Sequence, residues 1–249
     1  MLSFMTSTEN LLENEVVSKD LEALFKVGAH YAYGKSRRHA SAKPFIFGTK
    51  NRTEIFDLEK TNQSLEVALE FVRTLASEGR AILLASSKPE AKEAIIAAGQ
   101  SLGLPFVASR WIGGTFTNTI EIKKRVAVLV DLTEKKAKGE LVKYTKKERL
   151  LIDRKIAKLE KMYSGLLEMK GMPSALFVID SKEESIAVTE AIQMGIPVIS
   201  LSNSDCDLKV LDYAIPANDS AKASIAYFVD KIKDAYQEGT KLRAVKEVV

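Results

Sequence analysis

"RAILLASSKPEAKEAIIAAGQSLG" occupies residues 80–103. The apolar run at 80–86 is strand-length and has no alternating polar face, which predicts a strand buried on both sides. The stretch behind it reads as a helix, with Pro89 near its start and Gly103 just past its end. The same order recurs along the chain. "ALFVID" (175–180) is followed by "SKEESIAVTEAIQMG", read as a helix that starts at Ser181 and stops at Gly195. "IPVISL" (196–201) is another buried strand. "DYAIPANDSAKASIAYFVDKIKDAYQEG" reads as a short strand and then a helix capped near Asn218 or Asp219 and ending at Gly239. Upstream, "PFIFGTKNRTEIFDLEKT" gives two short extended pieces, and a helix from about Asn62 to Ser77 follows. Strands alternating with helices predict an α/β fold, its mainly parallel sheet covered on both faces.

The stretch from about Asn118 to Lys170 breaks this rhythm. Ile122, Val126, Leu129 and Thr133 are spaced four, three, four, and Ile152, Ile156, Leu159, Tyr163 and Leu166 four, three, four, three. Narrow seams of this kind predict two helices packed as a coiled-coil hairpin, with "AKGELVKYTKKE" as the turn. The expected organisation is an N-terminal extension over 1–19, an α/β domain from 20–117 and 171–238, an inserted hairpin over 118–170 and a tail over 239–249.

At 249 residues the chain can bury a sizeable core without staples. Its single cysteine, Cys206, excludes an intrachain disulfide and a cysteine zinc cluster, and two histidines leave little for a His-based metal site. No apolar run approaches the ~20 residues of a membrane span. The N-terminus carries Glu9, Glu13, Glu15 and Asp20, unlike a secretory or transit signal, so a cytoplasmic protein is expected. The net charge is only +4, but it is unevenly placed. Residues 28–52 carry six bases and no acid. Residues 123–161 carry fourteen bases against six acids, which leaves the remainder acidic. Such segregation focuses positive potential on particular surfaces.

Catalytic signatures are scarce. There is no glycine fingerprint after the first strand, no P-loop and no nucleophile elbow. Cys206 sits between Asp205 and Asp207, which oppose a thiolate; the same two aspartates are a weak cation-binding signal. "ASRWIGGTFTN" (108–118) reads in two ways. Gly113 and Gly114 suit a phosphate at a helix N-terminus, with Arg110 beside it. They also suit a tight turn with Trp111 packed beneath, the reading that composition alone favours.

Several motifs then occur in order: "KPFIFGTKNRTEIFDLEKT" (43–61), "SRWIGGTFTN" (109–118), "YTKKERL" (144–150), "GMPSALFVID" (171–180), "GIPVISL" (195–201) and "YAIPANDSAKASI" (213–225). Together they resemble the S-two family of bacterial small-subunit ribosomal proteins over about residues 20–238. The resemblance implies a Rossmann-like (flavodoxin-like) sheet with an inserted coiled-coil hairpin, and no catalysis, cofactor or metal. It implies binding to small-subunit ribosomal RNA and to neighbouring ribosomal proteins, among them the S-one family protein, in ribosome-bound form. The chain departs from the family where "GAHYAYGKSRRHASA" (28–42) replaces the usual "GVHFGHQTRxWNPKM", and where "NSDCDL" (203–208) replaces "DTNxDP".

Folded RNA is recognised mainly by shape, phosphates and 2′-hydroxyls, which calls for Lys and Arg spread over several surfaces. The expected contacts are Lys35, Arg37, Arg38, Lys43, Lys50 and Arg52 in the basic loop, and Lys88 and Arg110 at strand ends. On the hairpin they are Lys123, Lys124, Arg125, Lys146, Lys147 and Arg149. The rival reading is an α/β enzyme that takes a sugar phosphate or nucleotide at the carboxyl edge of the sheet.

Overall fold

The computed structural model describes residues 19–169 and 171–248; the expected N-terminal extension lies, but for its last residue, outside them. A helix over 19–26 (α1) leads into the basic loop. Strands β1 (Ile46–Lys50) and β2 (Thr53–Phe56) pair antiparallel through a two-residue turn. Both turn residues, Asn51 and Arg52, have positive φ (51° and 66°), the conformation whose twist matches the flanking strands. Helix α2 (Leu58–Ser77) begins four residues before the expected Asn62, because Asp57 caps it by accepting from Glu59 N at 3.2 Å.

The α/β body follows: β3 (Ile82–Ala85), α3 (Lys92–Leu102), β4 (Phe106–Val107), α4 (Thr119–Ala137), α5 (Lys146–Tyr163), β5 (Ala175–Ile179), α6 (Ser185–Gln193), β6 (Val198–Ser202), β7 (Tyr213–Pro216) and α7 (Lys222–Val248). The five strands β3 to β7 form one parallel sheet in the order β4-β3-β5-β6-β7, the flavodoxin-like order. Alternate residues of each strand enter opposite cores. Leu84, Phe177, Ile199 and Ile215 pack with α2, α3 and α7; Leu83, Leu176, Val178 and Val198 pack with α6 and the hairpin root. This is why the strands read as unbroken apolar runs.

The expected end of the last helix at Gly239 is wrong, because α7 runs on to Val248 and the expected tail begins as helix. Gly239 is there for packing. A Cβ on it would lie 2.3 Å from the Arg73 carbonyl oxygen and 2.7 Å from Ala76 Cβ, so the glycine lets α7 close on α2. In an exposed helix Gly→Ala stabilises by up to ~1 kcal/mol. Here Gly239→Ala is expected to destabilise by about 1–3 kcal/mol, since backbone must move. A urea midpoint that stays level or rises in this variant would show that the helices do not approach so closely.

Helices α4 and α5 pack against each other, and Lys136 pairs with Asp153 across them at 2.8 Å. Ile122, Leu129, Ile156, Leu159 and Tyr163 are buried at the root. The expected seam fails at Thr133, which is exposed and bonds back to the Leu129 carbonyl, while Leu132 packs inward instead. From 133 to 151 every residue but Leu141 is exposed, so the distal half stands clear of the sheet. Gly139 in the left-handed region ends α4, and a capping box between Thr145 and Glu148 starts α5.

Candidate RNA-binding surface

Ligands of open parallel sheets settle outside the carboxyl ends of the strands, where the strand order reverses. Here that point lies between β3 and β5. The chain's own charges fill it. Lys88 follows β3, Asp180 follows β5 and Asp219 follows β7. Lys88 Nζ lies 2.7 Å from Asp180 Oδ2 and 2.9 Å from Asp219 Oδ2. Burial opposes charge on Lys88, but the two carboxylates outweigh it and hold its pKa above the ordinary value. Asp180 is also partly desolvated, yet Lys88 and the backbone N–H of Glu183 hold it below the usual range. Asp219 is fully buried, and there desolvation wins and raises its pKa. Lys88 is therefore corrected from an expected RNA contact to a buried keystone, its side chain only 15 % exposed. Burial, and then Asp180, push the Cys206 thiol up to about 12, so it is no nucleophile. Asp205 and Asp207 are also engaged: Asp205 pairs with Lys182 at 2.9 Å, and Asp207 accepts from Lys209 N.

The loop 108–118 settles between its two readings. Trp111 is buried beneath it and meets Phe116 edge-on at 5.1 Å between ring centres. The anion it cradles is not a phosphate but Glu190 of α6. Glu190 Oε1 accepts from Gly114 N at 2.7 Å, and Oε2 accepts from Phe116 N at 3.0 Å. Longer contacts run to Thr117 N (3.4 Å) and Trp111 Nε1 (3.4 Å). The loop is thus a rigid joint between β4 and α4, and Arg110 points from it as an exposed cation. Glu190 escaped the sequence reading. Its signal was an acid on the apolar face of a short helix, in register with Ala187, Val188 and Ala191.

The basic loop is held from two sides. Residues 30–33 run along β2, through Phe56 N to the His30 carbonyl (2.8 Å) and Ala32 N to the Glu54 carbonyl (3.0 Å). Beyond β6, Asn203 Oδ1 and Ser204 Oγ accept from Tyr33 N, and the Ser204 carbonyl accepts from His39 N at 2.7 Å. Gly34 suits its place because a Cβ there would lie 2.9 Å from the Arg52 carbonyl. Arg38 turns inward to the buried Glu54 at 2.7 Å and acts as a brace rather than a free cation. Lys35, Arg37, Lys43, Lys50 and Arg52 remain exposed, and Arg37 rests 5.5 Å from the Tyr33 ring centre.

On the hairpin Lys123, Lys124, Arg125, Lys146, Lys147 and Arg149 are all exposed. Lys124 pairs with Glu121 at 2.6 Å, an exposed contact that is readily exchanged. Lys146 and Lys147 open α5, where the helix dipole disfavours cations. The structure thus sets Lys35 and Arg37 on the anchored loop, Lys43 just beyond it, and Lys50 and Arg52 at the adjoining β1–β2 turn. It sets Arg110 at the hairpin root and Lys146, Lys147 and Arg149 towards the tip, as separate positive regions.

Comparison with known proteins identifies the family. The family described as Ribosomal protein S2 matches residues 24–239. The chain is 36 % identical over 227 residues to the small ribosomal subunit protein uS2 of Chloroflexus aurantiacus, covering 91 % of this chain and 95 % of that protein. It is 40 % identical over 223 residues to the uS2 protein of Nitratiruptor sp., covering 90 % and 84 %. The corresponding protein of Roseiflexus sp. is 38 % identical over 223 residues, covering 90 % and 85 %. All three are proteins of the small ribosomal subunit by name, and in this chain Lys88, Asp180 and Asp219 occupy the sheet edge where the rival reading placed its ligand. With the family matched over residues 24–239 and relatives 36–40 % identical along about nine-tenths of its length, the chain belongs to the ribosomal protein S2 family.

Proposed function

We propose that the protein binds small-subunit ribosomal RNA through phosphate contacts from the anchored basic loop, the hairpin root and the hairpin tip, as a structural constituent of the bacterial small subunit, ribosome-bound in the cytoplasm. The observation that carries the reading is the basic loop itself. Its five exposed cations have no acid among them in sequence, and the loop is fixed by hydrogen bonds to β2 and to 203–204. A preordered cationic surface loses little entropy when it meets a folded RNA. Lys146 and Lys147 support it, since cations at a helix N-terminus weaken the helix unless an anionic partner is met. Lys35, Arg37, Lys43, Lys50 and Arg52 are the loop contacts, and Arg110, Lys123, Lys124, Arg125, Lys146, Lys147 and Arg149 are those of the hairpin region. Arg38 acts through Glu54. Phe47 and Tyr31, exposed beside the loop, offer the apolar contact that a neighbouring ribosomal protein needs, the S-one family protein among them.

The test is gradient sedimentation of a native lysate at low and high salt. The protein is expected in the small-subunit fraction at both. Lys35→Ala with Arg37→Ala is expected to weaken RNA binding roughly tenfold or more and to flatten its salt slope by about two, since each phosphate contact releases about one counterion. Wild-type protein at the top of the gradient at both salts would overturn the reading, as would an unchanged salt slope in the double variant.

A further inference from the structure

Beside the joint formed by 108–118 runs a groove of which the reading above uses only Arg110. It is a cavity of about 600 Å³ between that loop and the last turns of α5. Trp111, Ile112 and Met162 give it an apolar wall, and Arg110, Lys158 and Lys161 stand on it as cations. No carboxylate lines it. All three cations are exposed, and none makes an ion pair among the described residues. The groove is also braced: Ser109 Oγ donates to the Lys161 carbonyl at 3.0 Å, tying the loop to the end of α5. Glu190 fixes the other side of the same loop.

We propose that this groove seats one strand of RNA, with consecutive phosphates on Arg110, Lys158 and Lys161 and a base or ribose edge against Met162 and Ile112. The inference rests on the RNA-binding reading above and adds to it a site and two residues, Lys158 and Lys161. Charge complementarity selects the occupant. Three cations without a carboxylate repel a basic segment and suit a polyanion. The apolar wall suits a ligand whose phosphates are separated by flat, weakly polar groups. A single strand presents both at once, whereas a duplex turns its bases inward. Arg110 can grip a phosphate through two parallel bonds, and the lysines act as point charges along the strand.

The chain has one tryptophan, and it forms part of the groove wall. Its fluorescence therefore reports on this site and not on the basic loop. The experiment titrates full-length protein with a ten-nucleotide oligouridylate and with a small-subunit ribosomal RNA transcript, following Trp111 emission and, separately, RNA mobility. Inorganic phosphate and a polyglutamate peptide are run as controls. Emission is expected to change and saturate with either RNA. Lys158→Glu with Lys161→Glu, both exposed helix positions, is expected to abolish that change and to lower affinity for the oligouridylate at least tenfold. Lys35→Ala with Arg37→Ala is expected to lower affinity for the transcript while leaving the emission change intact. If RNA binds the wild-type protein without altering emission, and the Lys158/Lys161 variant binds equally well, the groove is not a strand seat. If polyglutamate saturates the signal at lower concentration than RNA, the groove belongs to an acidic protein segment and the proposal fails. If neither RNA binds wild-type protein at all, the broader RNA-binding reading falls with it.

Discussion

Glu190→Ala is expected to lower the stability of the protein by about 3–5 kcal/mol, because two buried and two partly buried N–H groups lose their acceptor together. Glu190 is 6 % exposed, and its two oxygens serve Gly114 N and Phe116 N at 2.7 and 3.0 Å, with Thr117 N and Trp111 Nε1 at longer range. Each orphaned buried donor costs about 1–3 kcal/mol, and the removed side chain leaves a void under the loop. For a chain of this size the loss corresponds to a fall of roughly 10 °C in Tm. Glu190→Gln separates shape from charge. Its amide oxygen still accepts from one loop N–H, but its NH₂ then faces another donor, so an intermediate loss is expected. Urea unfolding of the two variants checks the order. A change below about 1 kcal/mol in the alanine variant would mean that the loop holds itself. The loop also carries Arg110 and leads into α4, so the variant is expected to enter small subunits poorly even at temperatures where it stays folded.

Glu190 also marks where sequence reading stops. The sheet was legible because burial on both faces leaves continuous apolar runs, and 80–86, 175–180 and 196–201 each became a strand. Helix ends were legible where glycine takes positive φ, as at Gly103 (62°) and Gly195 (67°). Gly239 misled because the same residue type also serves close helix packing, and sequence does not reveal which neighbour needs the room. The hairpin's root was legible from its spacing, but Thr133 and Leu132 exchanged places because the seam needs bulk and not just register. Among the cations, side-chain type alone could not separate free from braced. Arg38 and Lys88 look like Arg37 and Lys92 in sequence. What distinguishes them is a carboxylate far along the chain, Glu54 for the first, Asp180 and Asp219 for the second. Long-range pairing of this kind decides which positive charge stays free at the surface and which holds that surface in shape.

Lys88→Met is expected to cost about 3–5 kcal/mol at neutral pH, because it keeps the bulk of the side chain and removes the charge between two buried carboxylates. Asp219 is fully buried and Asp180 nearly so, and without the ammonium each is desolvated beside the other. The pH dependence gives the sharper test. In the wild-type protein Asp180 titrates below its ordinary value, so its contribution is present above the unfolded pKa and is lost as acid brings the pH down through the folded value. Lys88 titrates above its ordinary value, so its contribution holds below the unfolded pKa and is lost only in strong alkali, as the pH rises through the folded value. Asp219 is already raised in the wild type; in the variant, without the ammonium, it is expected to rise further and Asp180 to rise with it, so acid relieves the variant more than the wild type. Protonation then relieves the fold, and its stability is greatest in acid and falls as the pH rises through those raised values. The gap between the two proteins is therefore expected to shrink steadily between pH 7 and pH 4. Urea unfolding at stepped pH measures it, and a gap that stays constant or widens in acid would show that the ammonium is not what holds these carboxylates. The effect is expected to reach the proposed RNA-binding surface as well. Asp219 Oδ1 accepts from Asn203 Nδ2 at 2.9 Å, and Asn203 Oδ1 accepts from Tyr33 N at the start of the basic loop. Loss of Lys88 is thus expected to weaken RNA binding without removing any phosphate contact, so affinity falls while the salt slope stays at the wild-type value.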